Sequence, residues 1–339
     1  MRAAMAFDAT GVFYKSRRAI PRAKQALELL VKNRIPFVVL TNASDPTEQM
    51  RADFLNGLMD TNILKASHII QGHTAIKLCM EQTKDQKGMT LIGGGVQAQG
   101  IAEEYQMKEY ITVPELSACL PLLVPLDNKA GYPMHPEMLK QNALKRLNIK
   151  HVEEILERPF KDVMIFANPI VYEAHIQVVS DLMISSKGYL GTQRKSNEPQ
   201  HVKLYYSHHD FLVPYQNANF PAHRSRYSLG VFKQSLDLIF KLQYGLNIDY
   251  ELTGKPSNLA FDYARMTLAQ QSNEKPENLK LYMVGDSPEI DILGGNQNGF
   301  DTILVKTGNY IDGVHHENPT HIVEDVYEAV EKVIKIHGL

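Results

Sequence analysis

Residues 5–16, "MAFDATGVFYKS", run from an apolar stretch into Asp8 and then break at Gly11. A short apolar run bounded by turn residues reads as a strand buried on both faces, the kind found in parallel sheets. A carboxylate at the mouth of such a strand stands where doubly wound sheets bind their ligands, outside the carboxyl ends of the strands. Two positions on comes Thr10, a hydroxyl rather than a second acid.

Working outward, "RAKQALELLVKN" carries apolar residues at helical spacing and "IPFVVLTN" is a second continuous β-rich run, which completes one βαβ unit. A helix around residues 46–57, the strand "HIIQG", the helix "HTAIKLCMEQTK" and the strand "GMTLIGGG" extend the alternation. Towards the C-terminus, "SNLAFDYARMTLAQQ" reads as an amphipathic helix and "NLKLYMVGDS" as a strand ending in Gly-Asp. "EIDILGGNQNG" follows as a short helix stopped by glycine, and "DTILVKTG" as a further strand. This grammar predicts an α/β fold, a Rossmann-like doubly wound parallel sheet with helices on both faces.

The middle is less regular. "VMIFANP" and "VKLYYSHHD" read as strands flanking the helix "YEAHIQVVSDLMISS", whereas 114–157 and 193–200 read as loop-rich. A chain of 339 residues exceeds the size of one core, about 250 to 300 residues, and the polar strand ends lie on either side of this middle. The expected organisation is a core made of 1–87 and 252–339, interrupted by a large inserted α/β domain at 88–251.

With 44% hydrophobic and 22% charged residues the composition is that of an ordinary globular protein. A formal charge of −2 argues against a broad nucleic-acid-binding surface. Cys79 and Cys119 cannot build a disulfide framework in a chain this long, which fits a reducing, intracellular compartment. No apolar run approaches the ~18 residues needed to span a bilayer, so an integral membrane protein is not expected. The first strand starts almost at Met1 and leaves no room for a targeting segment in this sequence.

Four strand ends carry the polar residues: Asp8 with Thr10, Thr41 with Asn42 after "FVVL", Lys255 in "LTGKPSN", and Asp286 with Asp291 after "LYMV". Together they suit phosphate chemistry. A carboxylate such as Asp8 can attack phosphorus and form an aspartyl-phosphate, splitting one hard displacement into two easier ones. Asp8 and Asp286 can hold Mg²⁺, which favours a few oxygen ligands. Lys255 can offset further negative charge, and the Thr41 hydroxyl with the Asn42 backbone amide can hold a phosphoryl oxygen. Taken singly, each has a structural reading: Asp8 could cap a turn, Asp291 could sit on a helix macrodipole, and Thr41 and Asn42 could cap a helix.

"GGGVQAQG", residues 93–100, lacks the dinucleotide spacing and reads as a turn. "HHENPTH", residues 315–321, reads as a solvated loop. In the inserted domain His208, His209, Asp210, Arg224 and Arg226 are either substrate-facing or plain surface.

In order, "FDATGV", "LTN", "GKP" and "MVGDSPEIDILGG" resemble the four motifs of the haloacid dehalogenase superfamily, and the long insertion between the second and third resembles subfamily IIA. "IIQGHTAIK", "TLIGGG", "FANPIVYEAHIQVVSDLMISSKGYLGT", "LYYSHHDFLVPYQ" and "DYELTGKPSNLAFDYA" are similar to the haloacid dehalogenase-like hydrolase domain-containing protein 5 (cat eye syndrome critical region protein 5) family. The resemblance implies a Mg²⁺-dependent phosphohydrolase of a small phosphorylated metabolite, with the insertion as its cap and a mitochondrial location. It makes Asp8 the nucleophile and a metal ligand, and Thr10 a ligand through its backbone carbonyl beside the phosphate. Thr41 and Asn42 would bind phosphate, Lys255 would orient nucleophile and phosphate, Asp286 would bind the metal, and Asp291 would support it through water.

The departure is Thr10. Phosphatases of this superfamily usually carry a second Asp there, which protonates the leaving oxygen and activates the water. A threonine hydroxyl cannot act as a general base near neutrality, and losing such a group typically costs about 10²- to 10⁴-fold. Two readings follow: a slow phosphohydrolase, or an impaired pseudoenzyme with a phosphate-binding or regulatory role.

Overall fold

The strand Arg2–Phe7 occupies the middle of a six-stranded parallel sheet in the computed structural model, which describes residues 1–44, 46–126, 131–214, 225–312 and 317–339. The order across the sheet is His321–Val323, Asp301–Val305, Leu279–Gly285, Arg2–Phe7, Phe37–Leu40 and Ile69–Ile70. Alternate residues of the central strand feed two cores. Met5 and Phe7 pack with Leu27, Leu30, Val330 and Val333 on one face, while Ala4 and Ala6 pack with Phe261, Ala264 and Leu268 on the other. That two-sided burial is why the strand reads as a continuous apolar run. The helix Asn258–Ser272 is bounded as its sequence predicts: the Ser257 side chain accepts from Ala260 N–H, and Asn273 closes it in the left-handed conformation.

This sheet belongs to one compact unit, Met1–Leu78 with Thr253–Leu339. The second unit comprises Cys79–Val213 with the described part of the stretch ending at Leu252. It has its own five-stranded parallel sheet, ordered Glu251–Leu252, Lys203–Tyr206, Phe160–Ile165, Met89–Gly93, Tyr110–Thr112. Leu91, Ile111, Val163, Ile165, Leu204 and Tyr206 from that sheet form its core with residues of the surrounding helices.

The segment 114–157, expected as loop, contains the helices Val113–Cys119 and Pro136–Leu147. Both prolines sit in the first helical turn, where a missing N–H costs nothing. Thr112 and Glu115 form a reciprocal capping box. Buried Glu115 also takes both guanidinium nitrogens of Arg146 at 2.7 Å. His321 lies on a strand rather than in a loop, paired beside Ile303. His315, His316 and Arg224 fall outside the described residues. Arg226 is on the strand Ser225–Tyr227. His208 is buried and accepts from Asp210 N–H, while His209 is exposed. Cys79 and Cys119 are buried free thiols.

Among the described residues His73 is buried in the first unit and His175, besides His208, in the second. His175 Nε2 accepts from Gly94 N–H at 3.2 Å, so its Nδ1 carries the proton and donates to Val171 O at 2.7 Å. His73 stands 3.2 Å from Pro46 O. Burial pushes both down to about 4. The unfolded chain, with histidine near its ordinary value, therefore binds more protons between those limits, and stability present at neutral pH is lost as pH falls below about 6.5. Each histidine is expected to cost roughly 2 kcal/mol at pH 5 relative to pH 7. Urea unfolding at the two pH values checks this, with His175→Gln reducing the pH dependence; a flat profile would contradict it.

Candidate active site

Asp8 and Asp286 directly follow two adjacent strands, at the place where the strand order reverses about Arg2–Phe7. Phe7 pairs with Val284 in register, and Asp8 N–H donates to Val284 O at 2.8 Å. That pairing fixes the nucleophile loop on its neighbour.

Lys255 reaches this place from the other half of the unit. Its ammonium, 2% exposed, donates to Asp8 Oδ1 at 2.7 Å and to Asp291 Oδ1 at 2.6 Å. Its backbone is held by a reciprocal amide pair: Asn42 Nδ2 donates to Lys255 O at 2.9 Å and Lys255 N–H donates to Asn42 Oδ1 at 2.8 Å. The Asn42 side chain thus serves Lys255 directly, a contact between residues too far apart in the chain to leave a local pattern. Thr41 N–H donates to Ile70 O at 2.9 Å, and Thr41 Oγ1 accepts from Ala43 N–H at 3.3 Å.

Asp291 sits on the single π-helical turn Pro288–Ile292, a deviation that often marks functional positions. Its second oxygen accepts from the N–H groups of Asp286 and Ser287, both at 3.1 Å. Asp286 Oδ2 in turn accepts from Asn309 N–H at 3.0 Å. A Cβ at Gly11 or Gly308 would run into the Asp286 carboxylate, and Gly11 also has φ +83°. These two glycines, with Asn309, form the wall behind Asp286. Only the "KTGN" turn after a strand hinted at Gly308 and Asn309.

Thr10 makes its side-chain contact with a tyrosine. Its hydroxyl donates to the Tyr14 hydroxyl at 3.0 Å. Tyr14 was not singled out in the sequence.

The electrostatics follow from burial. Asp8, Asp286 and Asp291 bring carboxylate oxygens within 4.8 Å of one another, all buried. With all three ionised, three carboxylates against one ammonium leave two negative charges uncompensated. Burial pushes Asp8 up to about 6, with Lys255 opposing the rise and Asp291 adding to it. Asp286 is pushed well above the usual carboxylate range by burial, then by Asp8 and Asp291. Lys255 is pushed up: burial disfavours its charge, but Asp291 and Asp8 more than offset this. An oxygen-only set with two excess charges fits a hard divalent cation, which would relieve the strain that otherwise falls on protons.

Two family models match the chain: haloacid dehalogenase-like hydrolase over residues 5–109 and HAD-hydrolase-like over residues 252–329. A mitochondrial hydrolase of Saccharomyces cerevisiae is 29% identical, covering 98% of this chain and 95% of that protein. A cardiolipin synthase (CMP-forming)/mitochondrial hydrolase fusion protein of Schizosaccharomyces pombe is 28% identical over 98% of this chain, which spans 53% of the fusion. Among solved structures, the p-nitrophenyl phosphatase of Archaeoglobus fulgidus shares the fold at TM-score 0.61 and 13% identity, covering 98% of this chain and 99% of its own. The match of both sequence segments that build the six-stranded sheet places this chain in the haloacid dehalogenase-like hydrolase family.

Proposed function

We propose that this chain is a Mg²⁺-dependent phosphohydrolase of a small phosphorylated metabolite, working through an aspartyl-phosphate on Asp8. The observation that supports this best is the buried set Asp8, Lys255, Asp286 and Asp291 at adjacent strand ends. Asp8 and Asp286, with the Thr10 carbonyl, would hold the metal, and Asp291 would support it. Bound there, Mg²⁺ would draw charge off the phosphoryl oxygens.

Asp8 attacks phosphorus, the bond to the leaving oxygen breaks, and the alcohol departs with a proton from solvent. Lys255, fixed by Asn42 and Asp291, keeps Asp8 ionised and meets the phosphoryl charge. Thr41 and the Asn42 backbone amide hold a phosphoryl oxygen. Water then cleaves the acyl phosphate and releases inorganic phosphate. This second step has no carboxylate at position 10 to serve it, so turnover is slow. In this reading the insertion expected at 88–251 is a cap that selects the substrate.

The names of the two curated relatives support a mitochondrial location, which fractionation of cells checks. One relative is fused to a CMP-forming synthase. CMP is itself a phosphomonoester, so it belongs in the panel of metabolite phosphates on which the proposal is tested. Hydrolysis of at least one member by wild type with Mg²⁺ is expected. If no member is hydrolysed, yet beryllium fluoride with Mg²⁺ still raises the melting temperature, the pseudoenzyme reading, which the Thr10–Tyr14 contact favours, takes its place.

A further inference from the structure

Immediately after the nucleophile loop, the strands Tyr14–Lys15 and Arg18–Ala19 form a short antiparallel hairpin. A two-residue hairpin turn of this hand needs positive φ at both central residues, which is why Asn-Gly is its usual sequence. Here the positions are taken by Ser16 at φ 51° and Arg17 at φ 60°. A non-glycine, non-asparagine residue in that region is uncommon, and two in succession in a hairpin turn are a departure from its usual sequence.

The turn also concentrates charge. Lys15, Arg17 and Arg18 fall within four positions, and Ser16, Arg17 and Arg18 are exposed. Among the described residues none of these three cations enters an ion pair. Nearby Arg22, by contrast, is neutralised by Asp325. Three like charges and two positive-φ residues thus meet at one tip, and among the described residues no carboxylate pairs with those charges.

The base of the hairpin is tied to the candidate site. Gly11 N–H donates to Tyr14 O at 2.7 Å, and Thr10 Oγ1 donates to the Tyr14 hydroxyl at 3.0 Å. Lys15 Nζ donates to Gly308 O at 3.2 Å, and the next residue, Asn309, holds the Asp286 carboxylate. The Tyr14 ring packs edge-on against Phe54, 5.5 Å between centroids. Three extended residues span at most about 10 Å, which bounds how far Arg17 lies from the tied base at Tyr14.

We infer that the hairpin Tyr14–Ala19 is a second anion-binding element, which takes a phosphate of the substrate other than the one transferred. The substrate class is then a phosphomonoester carrying a further phosphate or phosphodiester, either a soluble bisphosphate or a phospholipid headgroup. Arginine is suited to this because its planar fork matches phosphate oxygens in pairs. The inference rests on the phosphohydrolase reading for the identity of the first phosphate.

The test measures binding without turnover, in the full chain carrying Asp8→Asn with Mg²⁺. Fructose 1,6-bisphosphate is expected to bind about tenfold tighter than fructose 6-phosphate at low salt, a preference that shrinks as salt screens it. Adding Arg17→Ala and Arg18→Ala is expected to abolish the preference. A parallel arm compares vesicles of phosphatidylcholine with vesicles of equal parts phosphatidylcholine and phosphatidylglycerol. Preference there alone, again lost with the two arginines, assigns the second phosphate to a phospholipid. Arg17→Gly, which relieves the positive φ, should keep or raise the melting temperature while lowering the preference; unfolding of that variant would make Arg17 a fold residue and overturn the inference. Equal affinity in both arms, or a preference that survives the arginine changes, overturns it as well. Failure of the phosphohydrolase reading is seen separately, as equal aryl phosphate hydrolysis by wild type and Asp8→Asn.

Discussion

Asp8→Asn is expected to lower phosphatase turnover by roughly 10⁴-fold or more, the scale seen when a nucleophile is removed. The amide keeps the volume of the side chain but loses the charge that attacks phosphorus. Lys255 keeps Asp291 as its partner at 2.6 Å, so the loop that carries Asp291 stays held. Burial, and then the neighbouring carboxylates, push Asp8 up to about 6 and Asp286 well above its usual range, so charge is costly in this cluster. Removing one carboxylate from such a set relieves repulsion. The metal-free melting temperature should therefore stay level or rise, while the rise produced by Mg²⁺ shrinks. Steady-state hydrolysis of an aryl phosphate and thermal melts with and without Mg²⁺ check both halves. Lost activity with retained stability separates chemistry from folding; unchanged activity would remove Asp8 from the reaction.

Thr10→Asp is expected to act in the opposite direction, raising turnover by about 10²-fold or more. A carboxylate two residues after the nucleophile supplies the proton to the leaving oxygen and then takes one from water. The native hydroxyl does neither near neutrality. The Tyr14 hydroxyl, 3.0 Å from Thr10 Oγ1, would donate to the new carboxylate and keep it ordered. Pre-steady-state kinetics should show the gain in the second phase, the breakdown of the acyl phosphate, more than in its formation. No gain would place the slow step elsewhere than at residue 10.

Much of the core was legible because its strands are buried on both faces, so "MAF", "FVVL" and "LYMV" stand out as unbroken apolar runs. The helices at Val113–Cys119 and Pro136–Leu147 stand in a stretch that reads as loop-rich, because proline, which interrupts a helix interior, here occupies the first turn, where it is tolerated. The Thr112–Glu115 spacing was the signal that could have corrected this. The helix Leu229–Tyr244 went unread although Leu229, Phe232, Leu236 and Phe240 mark its buried face and Gly245 its end.

Around the candidate site, sequence reading supplied the residue types at the strand ends. It could not supply the ties between distant positions. The amide pair of Asn42 with Lys255 joins residues 213 positions apart, and the Asn309 N–H on Asp286 lies 23 positions away. Neither leaves a local pattern. The turn at Ser16 and Arg17 was equally silent, since neither residue type announces positive φ.

The most direct test of the central claim is mass spectrometry of the Asp8 peptide after wild type is mixed with an excess of a turned-over phosphate ester and Mg²⁺ and quenched in acid. Slow breakdown at a site without a second Asp predicts that a large fraction of Asp8 carries one phosphoryl group, released by base and absent from Asp8→Asn. Continuing hydrolysis with no phosphoryl group on Asp8, in a protein whose Asp8→Asn variant turns over at the same rate, would contradict the account.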